Sequence, residues 1–389
     1  MIKLHNHQLR VIDKLNKHQR GQVIVPTGGG KTLCMITDAK SVLQGEKQTL
    51  VVVAPRILLA QQLCEDFLTH LDKPVKVLHV HSGESKHYST TNSKEIVSWI
   101  EDYWHYNKIL FTTYHSLHKI QKACVPVNTI YFDEAHNSVQ RHFHPATRFY
   151  SSLGGIRCYF FTATPKYSGS DEDPGMNNEY VYGKVLEQVP APELVDNNII
   201  LPPKVIVKKL EMIKGRKPTP EDDADNILAT IDDQNVSKIL ICARRTTQIT
   251  RLVSDSKLTT ELYARGYNWM YITSRTGAVI NGIKVSRNQF FDTLRTWGKE
   301  DKRKFIIMHH SILSEGISVP GLEAALFLRN MDYITISQTI GRVIRKGNEQ
   351  KQFGIVCVPV YDRVGISTAK SVNAVVDTVF NKGEPAISQ

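Results

Sequence analysis

No apolar run in the chain approaches the roughly 18–20 residues that a helix needs to cross a bilayer, so no helical membrane span is expected. The first ten residues, MIKLHNHQLR, lack the apolar core of a secretory signal. Cysteine is sparse. Cys34, Cys64, Cys124, Cys158, Cys242 and Cys357 are scattered with no CxxC pair, and most sit beside apolar stretches. That pattern argues against a disulfide framework and reads as reduced core thiols in a cytosolic protein. Low-complexity tracts are absent. What remains is an ordinary globular composition, 41% hydrophobic and 22% charged, over 389 residues, which suggests two or three domains. The formal charge is +11. From Val195 onward there are 28 Lys and Arg against 20 Asp and Glu, and before it 21 against 18, so the excess is concentrated in the second half. A basic surplus suits a polyanionic partner, nucleic acid first among them.

The most informative stretch is VIVPTGGGKT, Val23 to Thr32. A β-branched run leads into Pro26, Thr27, Gly28, Gly29 and Gly30, then Lys31, Thr32 and a helical pattern to Val42. Strand, glycine loop and helix together are the context of a phosphate-binding loop. Glycines let backbone N–H groups approach a polyphosphate, and the helix presents its positive end to the same anion. Lys31 would reach the β- and γ-phosphates, and the Thr32 hydroxyl would ligate Mg²⁺. Val25 stands where the full pattern has a leading glycine. A glycine-rich turn capped by Thr27 is the bland alternative.

Around this stretch strand and helix signals alternate. Leu4 to Leu15 has helical spacing and carries Gln8, whose amide offers the donor and acceptor that an adenine edge needs. Leu50–Ala54, Val75–Val80, Ile109–Thr112, Thr129–Phe132 and Cys158–Phe161 read as strands, with helices over Arg56–Leu71, Ile96–Trp104 and His115–Lys122 between them. Trp99, Tyr103 and Trp104 read as a packed helix face rather than a base-stacking set. Prolines and weak periodicity place a connection at about Pro190 to Pro203. Beyond it, strands are expected at Lys238–Cys242, Trp269–Thr273, Lys304–Met308, Ala324–Leu328 and Phe353–Pro359. Helices are expected at Thr246–Leu258, Arg287–Trp297, Ile334–Ile344 and Thr368–Phe380. The expectation is an α/β chain of two tandem parallel-sheet domains, 1–190 and 191–389, facing each other.

Thr129–Phe132 runs into Asp133-Glu134-Ala135-His136. Acidic residues at the carboxyl end of a buried parallel strand lie at the edge where ligands bind. Aspartate there can hold Mg²⁺, and an adjacent glutamate can take a proton from attacking water. Thr162-Ala163-Thr164, after the next strand, could hydrogen-bond that acidic turn.

Taken in order, these segments resemble a superfamily 2 helicase or translocase of the DEAH-spelled type, built from two RecA-like domains with the nucleotide site in the cleft between them. Gln8 resembles the Q-motif glutamine, PTGGGKT (26–32) motif I, VVVAPRILLAQQL (51–63) motif Ia, and FTTYHSL (111–117) the next nucleic-acid-contacting motif. DEAH (133–136) resembles motif II and TAT (162–164) motif III. In the second half, ILICARRT (239–246), HHSILSEGISVPG (309–321) and QTIGRVIRKG (338–347) resemble motifs IV, V and VI. The last two look most similar to the UvsW and XPB branch of double-strand translocases and annealing helicases, which includes compact phage and plasmid members.

The resemblance implies ATP and Mg²⁺ as cofactors. Gln8, Thr27, Gly28, Gly29, Gly30, Lys31, Thr32 and Gly316 would hold nucleotide, and Thr32 and Asp133 the metal. Glu134 would deprotonate water with Lys31, Arg342 and Arg345 on the phosphates, Arg345 as arginine finger. Spacing of i, i+3 puts the two arginines on one helix face. His136, Thr162, Thr164 and Gln338 would couple nucleotide to nucleic acid, and Arg56, Thr112, Thr113, Arg244 and Ser311 would contact it. Two departures stand out. No arginine or aromatic residue lies near His5 and Asn6 to help hold adenine, and Ser318 replaces the usual motif V aspartate. The implied activity is ATP-dependent movement on, or remodelling of, duplex or branched DNA. The alternatives are an RNA helicase, or a motor subunit of a restriction- or defence-type complex. The ATP site would be complete within one chain, with a partner protein for processivity, no membrane partner, and a cytoplasmic location on the nucleoid, or in the host if phage-encoded.

Overall fold

Hydrophobic strands alternate with amphipathic helices from one end of the chain to the other, and the structure, a computed structural model, turns that alternation into two sheets. It describes residues 3–387 apart from 171–172, 211–217, 244, 274, 311–318, 320, 329–330, 347–350 and 362–365. The chain divides into two units, Met1–Pro190 and Ala191–Ala386.

In the first unit β1 (Arg20–Ile24), β2 (Thr49–Ala54), β3 (Lys76–Val80), β4 (Lys108–Thr113), β5 (Thr129–Phe132), β6 (Arg157–Thr162) and β7 (Val185–Gln188) form a sheet in the order β3-β4-β2-β5-β6-β1-β7. Every neighbouring pair is parallel. Parallel strands covered on both faces must be apolar throughout, and β2, β4 and β5 are buried at every position. The core beneath them gathers Val51, Leu110, Phe132, Phe160 and Tyr182, all at most 2% exposed. A parallel sheet also places all its strand-to-helix turns along one edge. Because β5, β6 and β1 are consecutive in the sheet, the turns after Phe132, Thr162 and Ile24 come together there.

The second unit repeats the architecture with β8 (Pro203–Leu210), β9 (Lys238–Cys242), β10 (Asn268–Thr273), β11 (Gly277–Ile280), β12 (Ile283–Val285), β13 (Phe305–His309), β14 (Ala324–Phe327) and β15 (Gly354–Tyr361). The order is β12-β11-β10-β13-β9-β14-β15-β8. Five of its pairings are parallel. β10, β11 and β12, however, pair antiparallel, so this sheet departs from the all-parallel expectation at one edge. The cause is local. Asn281 and Gly282 both adopt positive φ, +47° and +85°, the conformation of a two-residue hairpin turn. The helix expected over Thr246–Leu258 is two, Thr246–Ser254 and Leu258–Ala264. Both units have the RecA-like α/β fold.

Candidate nucleotide-binding site

The loop after β1 is shaped by its glycines. Gly28 and Gly30 sit at φ +91° and +82°, a region that side chains rarely adopt. Gly30 caps the helix Lys31–Val42 in the left-handed conformation, and the Gly29 N–H donates to the Pro26 carbonyl at 3.0 Å. Thr27 and Thr32 are half-buried. Lys31 is buried and its ammonium donates to the Val25 carbonyl at 3.3 Å.

The helix Asn6–Lys17 packs its N-terminal turn against this loop. Gln8, 3% exposed, accepts a hydrogen bond from the His5 N–H at 2.9 Å and donates to the Gly29 carbonyl at 3.5 Å. Its neighbour His7 reaches the same carbonyl through Nε2 at 2.7 Å. The Gln8 amide therefore buttresses the loop, and a β-carbon on Gly30 would collide with it. His7 carries no motif signal; only its adjacency to Gln8 pointed towards it.

At the end of β5 the Asp133 N–H donates to the Val53 carbonyl at 2.8 Å, which holds the turn against β2. Burial pushes the Asp133 carboxyl up to about 7, with the Glu134 charge adding to the shift and the Lys31 charge opposing it. A buried carboxylate with one lysine near it is a site that a cation stabilises. Among the described residues no cluster of three or more His, Cys, Asp or Glu could hold a metal by itself. Mg²⁺ in phosphate-transfer sites needs only one or two carboxylates, completed by waters and phosphate oxygens. Asp133 with the Thr32 hydroxyl fits that donor set.

Glu134 is the strained residue of the turn, left-handed at φ +47°, ψ +53°. Its side chain is 13% exposed and Oε2 lies 3.6 Å from His136 Nδ1. His136 Nδ1 also lies 3.1 Å from Thr162 Oγ1 and 3.3 Å from Thr164 Oγ1. Asn137 Nδ2 approaches His136 Nε2 at 3.2 Å. An amide that donates to Nε2 leaves the proton on Nδ1, facing the carboxylate and both threonines. The structure thus joins Glu134, His136, Thr162 and Thr164 in one network, with Asn137 as the member that motif reading missed.

Towards the other side of the same edge, Arg56 caps the helix Ile57–His70 and is exposed. Thr112 and Thr113 are buried, and the Thr112 hydroxyl donates to the Val80 carbonyl at 2.9 Å. His115, two residues on, is exposed. Arg244, Ser311 and Gly316 lie outside the described residues.

In the second unit Gln338 and Arg342 lie on the helix Tyr333–Val343, both buried. Arg345 does not share that helix face. The helix stops at Val343, the Leu201 N–H takes the Ile344 carbonyl at 2.7 Å, and Arg345 bridges to Ile200. Strand-type pairing ends the helix two residues before the arginine that i, i+3 spacing would have placed on it. Lys351, half-buried, donates to the carbonyls of Leu322, Val343 and Arg345. His309, at the end of β13, has Nε2 3.3 Å from Cys242 Sγ. Burial, helped by the Arg342 charge and then His310, pushes its pKa down to about 3, so it is neutral.

Comparison with known proteins agrees with the geometry. Residues 1–167 match the family model described as Type III restriction enzyme, res subunit. No curated protein sequence matches the chain. Among solved structures, the ATP-dependent Type ISP restriction-modification enzyme LlaBIII bound to DNA is 18% identical, with a TM-score of 0.74 over 97% of this chain and 30% of its own. Dbp5 of S. cerevisiae bound to RNA and ADP BeF3 is 16% identical, with a TM-score of 0.61 over 99% of this chain and 89% of its own. A fragment of a putative HsdR subunit of a type I restriction enzyme from Vibrio vulnificus YJ016 is 14% identical, with a TM-score of 0.63 over 98% and 67%. The chain spans less than a third of the length of the Type ISP enzymes it resembles.

Proposed function

We propose that this chain is an ATP-dependent helicase or translocase that couples ATP hydrolysis to movement on, or remodelling of, duplex or branched DNA. One observation carries the reading. A glycine-built anion loop with Lys31 and an acidic turn with Asp133 and Glu134 occupy the same edge of one sheet, and His136 links that turn to Thr162 and Thr164. In this reading Lys31 and Thr32 bind phosphates, Thr32 and Asp133 hold Mg²⁺, and Glu134 orients and deprotonates water. Mg²⁺ would neutralise charge on the phosphates. Arg345 acts as the arginine finger, a role worth about 10³–10⁵ in rate. Arg56 and the residues near it contact the phosphodiester backbone, which makes sequence specificity low and salt sensitivity strong. Structural neighbours named for restriction enzymes favour a DNA motor serving a larger assembly. Dbp5, bound to RNA in its structure, keeps RNA as the second substrate class. The UvsW- and XPB-like branch remains the finer assignment of the same proposal.

The test is steady-state ATP hydrolysis with no nucleic acid, single-stranded DNA, duplex DNA, a forked junction or RNA, with Glu134→Gln as control. Stimulation by duplex or forked DNA that disappears in the control is the expected result. Stimulation by RNA alone selects the second class, and no stimulation by any of them rejects an autonomous motor.

A further inference from the structure

Tyr114 belongs to no catalytic set described above, yet it ties two functional turns together. It follows Thr113 at the end of β4, and its N–H donates to the Ala54 carbonyl at 3.1 Å, at the root of the turn that carries Arg56. Its ring is 2% exposed and packs against Phe132 and Phe143, with centroids 6.1 and 5.7 Å away. Its hydroxyl donates to the Asp133 backbone carbonyl at 2.8 Å. That carbonyl belongs to the peptide leading into Glu134, and a rigid peptide cannot turn at one end without altering φ at the other. Next to Tyr114, the exposed His115 sets its ring edge-on to Phe143 at 4.6 Å. Surface, aromatic packing and catalytic turn are therefore continuous through one buried phenol.

We propose that Tyr114 is a positioning residue. A phosphodiester backbone seated along Arg56 and His115 shifts the 112–115 segment, and the Tyr114 hydroxyl passes that shift to the Asp133–Glu134 peptide and so to the Glu134 carboxylate. This rests on the ATPase reading above. A left-handed glutamate persists only where its surroundings over-determine it. A hydrogen bond of ordinary strength is enough to bias such a turn.

Tyr114→Phe keeps the ring and removes only the hydroxyl. The expected result is at least a ten-fold fall in the ratio of DNA-stimulated to basal ATP hydrolysis, with DNA affinity in the absence of nucleotide within two-fold of the unsubstituted protein. The change in DNA affinity produced by a non-hydrolysable ATP analogue should vanish in the variant too, and, because binding coupling is reciprocal, so should the effect of DNA on the affinity for the analogue. A merely structural role lowers both rates in proportion, and an unchanged ratio overturns the proposal. A readout independent of the variant is hydrogen exchange of residues 130–137 in the unsubstituted protein. Exchange there must slow when duplex DNA is added without nucleotide, and an unresponsive segment also overturns it. Failure of the underlying ATPase reading shows elsewhere, as a basal rate that Glu134→Gln leaves intact.

Discussion

At the scale of single residues, the loop at Gly28–Thr32 shows how backbone freedom and side-chain support are combined. Gly30 needs its glycine twice, for φ +82° and for the space taken by the Gln8 amide. Gly155 has almost the same φ, +81°, with nothing within 4 Å of its would-be β-carbon. Alanine at Gly155 should therefore cost only the left-handed penalty, about 1–2 kcal/mol. Alanine at Gly30 should cost that plus displacement of Gln8, and should weaken ATP binding at least ten-fold. Thermal unfolding of both variants with titration of a fluorescent ATP analogue checks this, and equal destabilisation would mean that Gln8 moves aside freely. The residue types of the site were legible in the sequence because loop, acidic turn and threonines are each contiguous. What each polar side chain touches was not. Gln8 meets Gly29 across 21 residues and Thr112 meets Val80 across 32, and no local pattern encodes such pairings.

At the scale of elements, Lys108 shows how a helix end and a strand start are fastened. It opens β4 at 1% exposure, and its ammonium donates to the carbonyls of Tyr103, Trp104 and Tyr106 at 3.0, 3.3 and 2.7 Å. Those carbonyls close the helix Ser93–Asp102, whose own last turn carries no basic residue. Lys108→Met leaves three part-buried carbonyls without their donor, at about 1–3 kcal/mol for each that water cannot reach. A lower urea midpoint with an unchanged slope is expected, together with faster exchange confined to residues 99–110. This termination also explains why the aromatic run divides. Trp99 is core at 8% exposure and Tyr103 packs half-buried against it with ring centroids 5.1 Å apart, whereas Trp104 lies past the helix and is 49% exposed, so the packed face expected for all three holds for Trp99 and Tyr103. Central strands were legible because burial on both faces makes them continuous apolar runs. The edges were not. β8 begins at Pro203 and carries Lys204 and Lys208, devices that protect an edge strand and resemble a linker in sequence. The β11–β12 hairpin had a usable signal in Asn281-Gly282, set between the apolar run Ala278-Val279-Ile280 and the alternating Ile283-Lys284-Val285.

At the scale of the whole molecule, each unit buries a histidine that its fold keeps neutral. In the first unit His79, on β3, is 1% exposed, with Nδ1 3.0 Å from His81 Nε2 and its ring stacked near Phe111 and His87. Burial, with the His81 and His87 charges adding, pushes its pKa down to about 3. In the second unit His309 is held equally low. An unfolded chain takes up these protons near pH 6.5, the ordinary histidine value, whereas the folded units refuse them until about pH 3. The unfolded state therefore binds more protons between those limits, and stability present at neutral pH is lost as pH falls. The slope approaches about 1.4 kcal/mol per pH unit for each histidine. Urea unfolding between pH 7 and 5 should show this dependence, offset by up to about one proton from Asp133, whose folded carboxyl is pushed up to about 7 and takes up its proton in the same window. His79→Phe keeps the stacking on Phe111 and removes the titrating group, so it should flatten the dependence by about one proton. The His309 contribution persists, because that histidine belongs to the other unit. A slope unchanged by His79→Phe would mean that His79 takes up its proton inside the folded sheet. The three-histidine cluster at the edge of β3 would then be an adaptable surface and not an acid-labile part of the core.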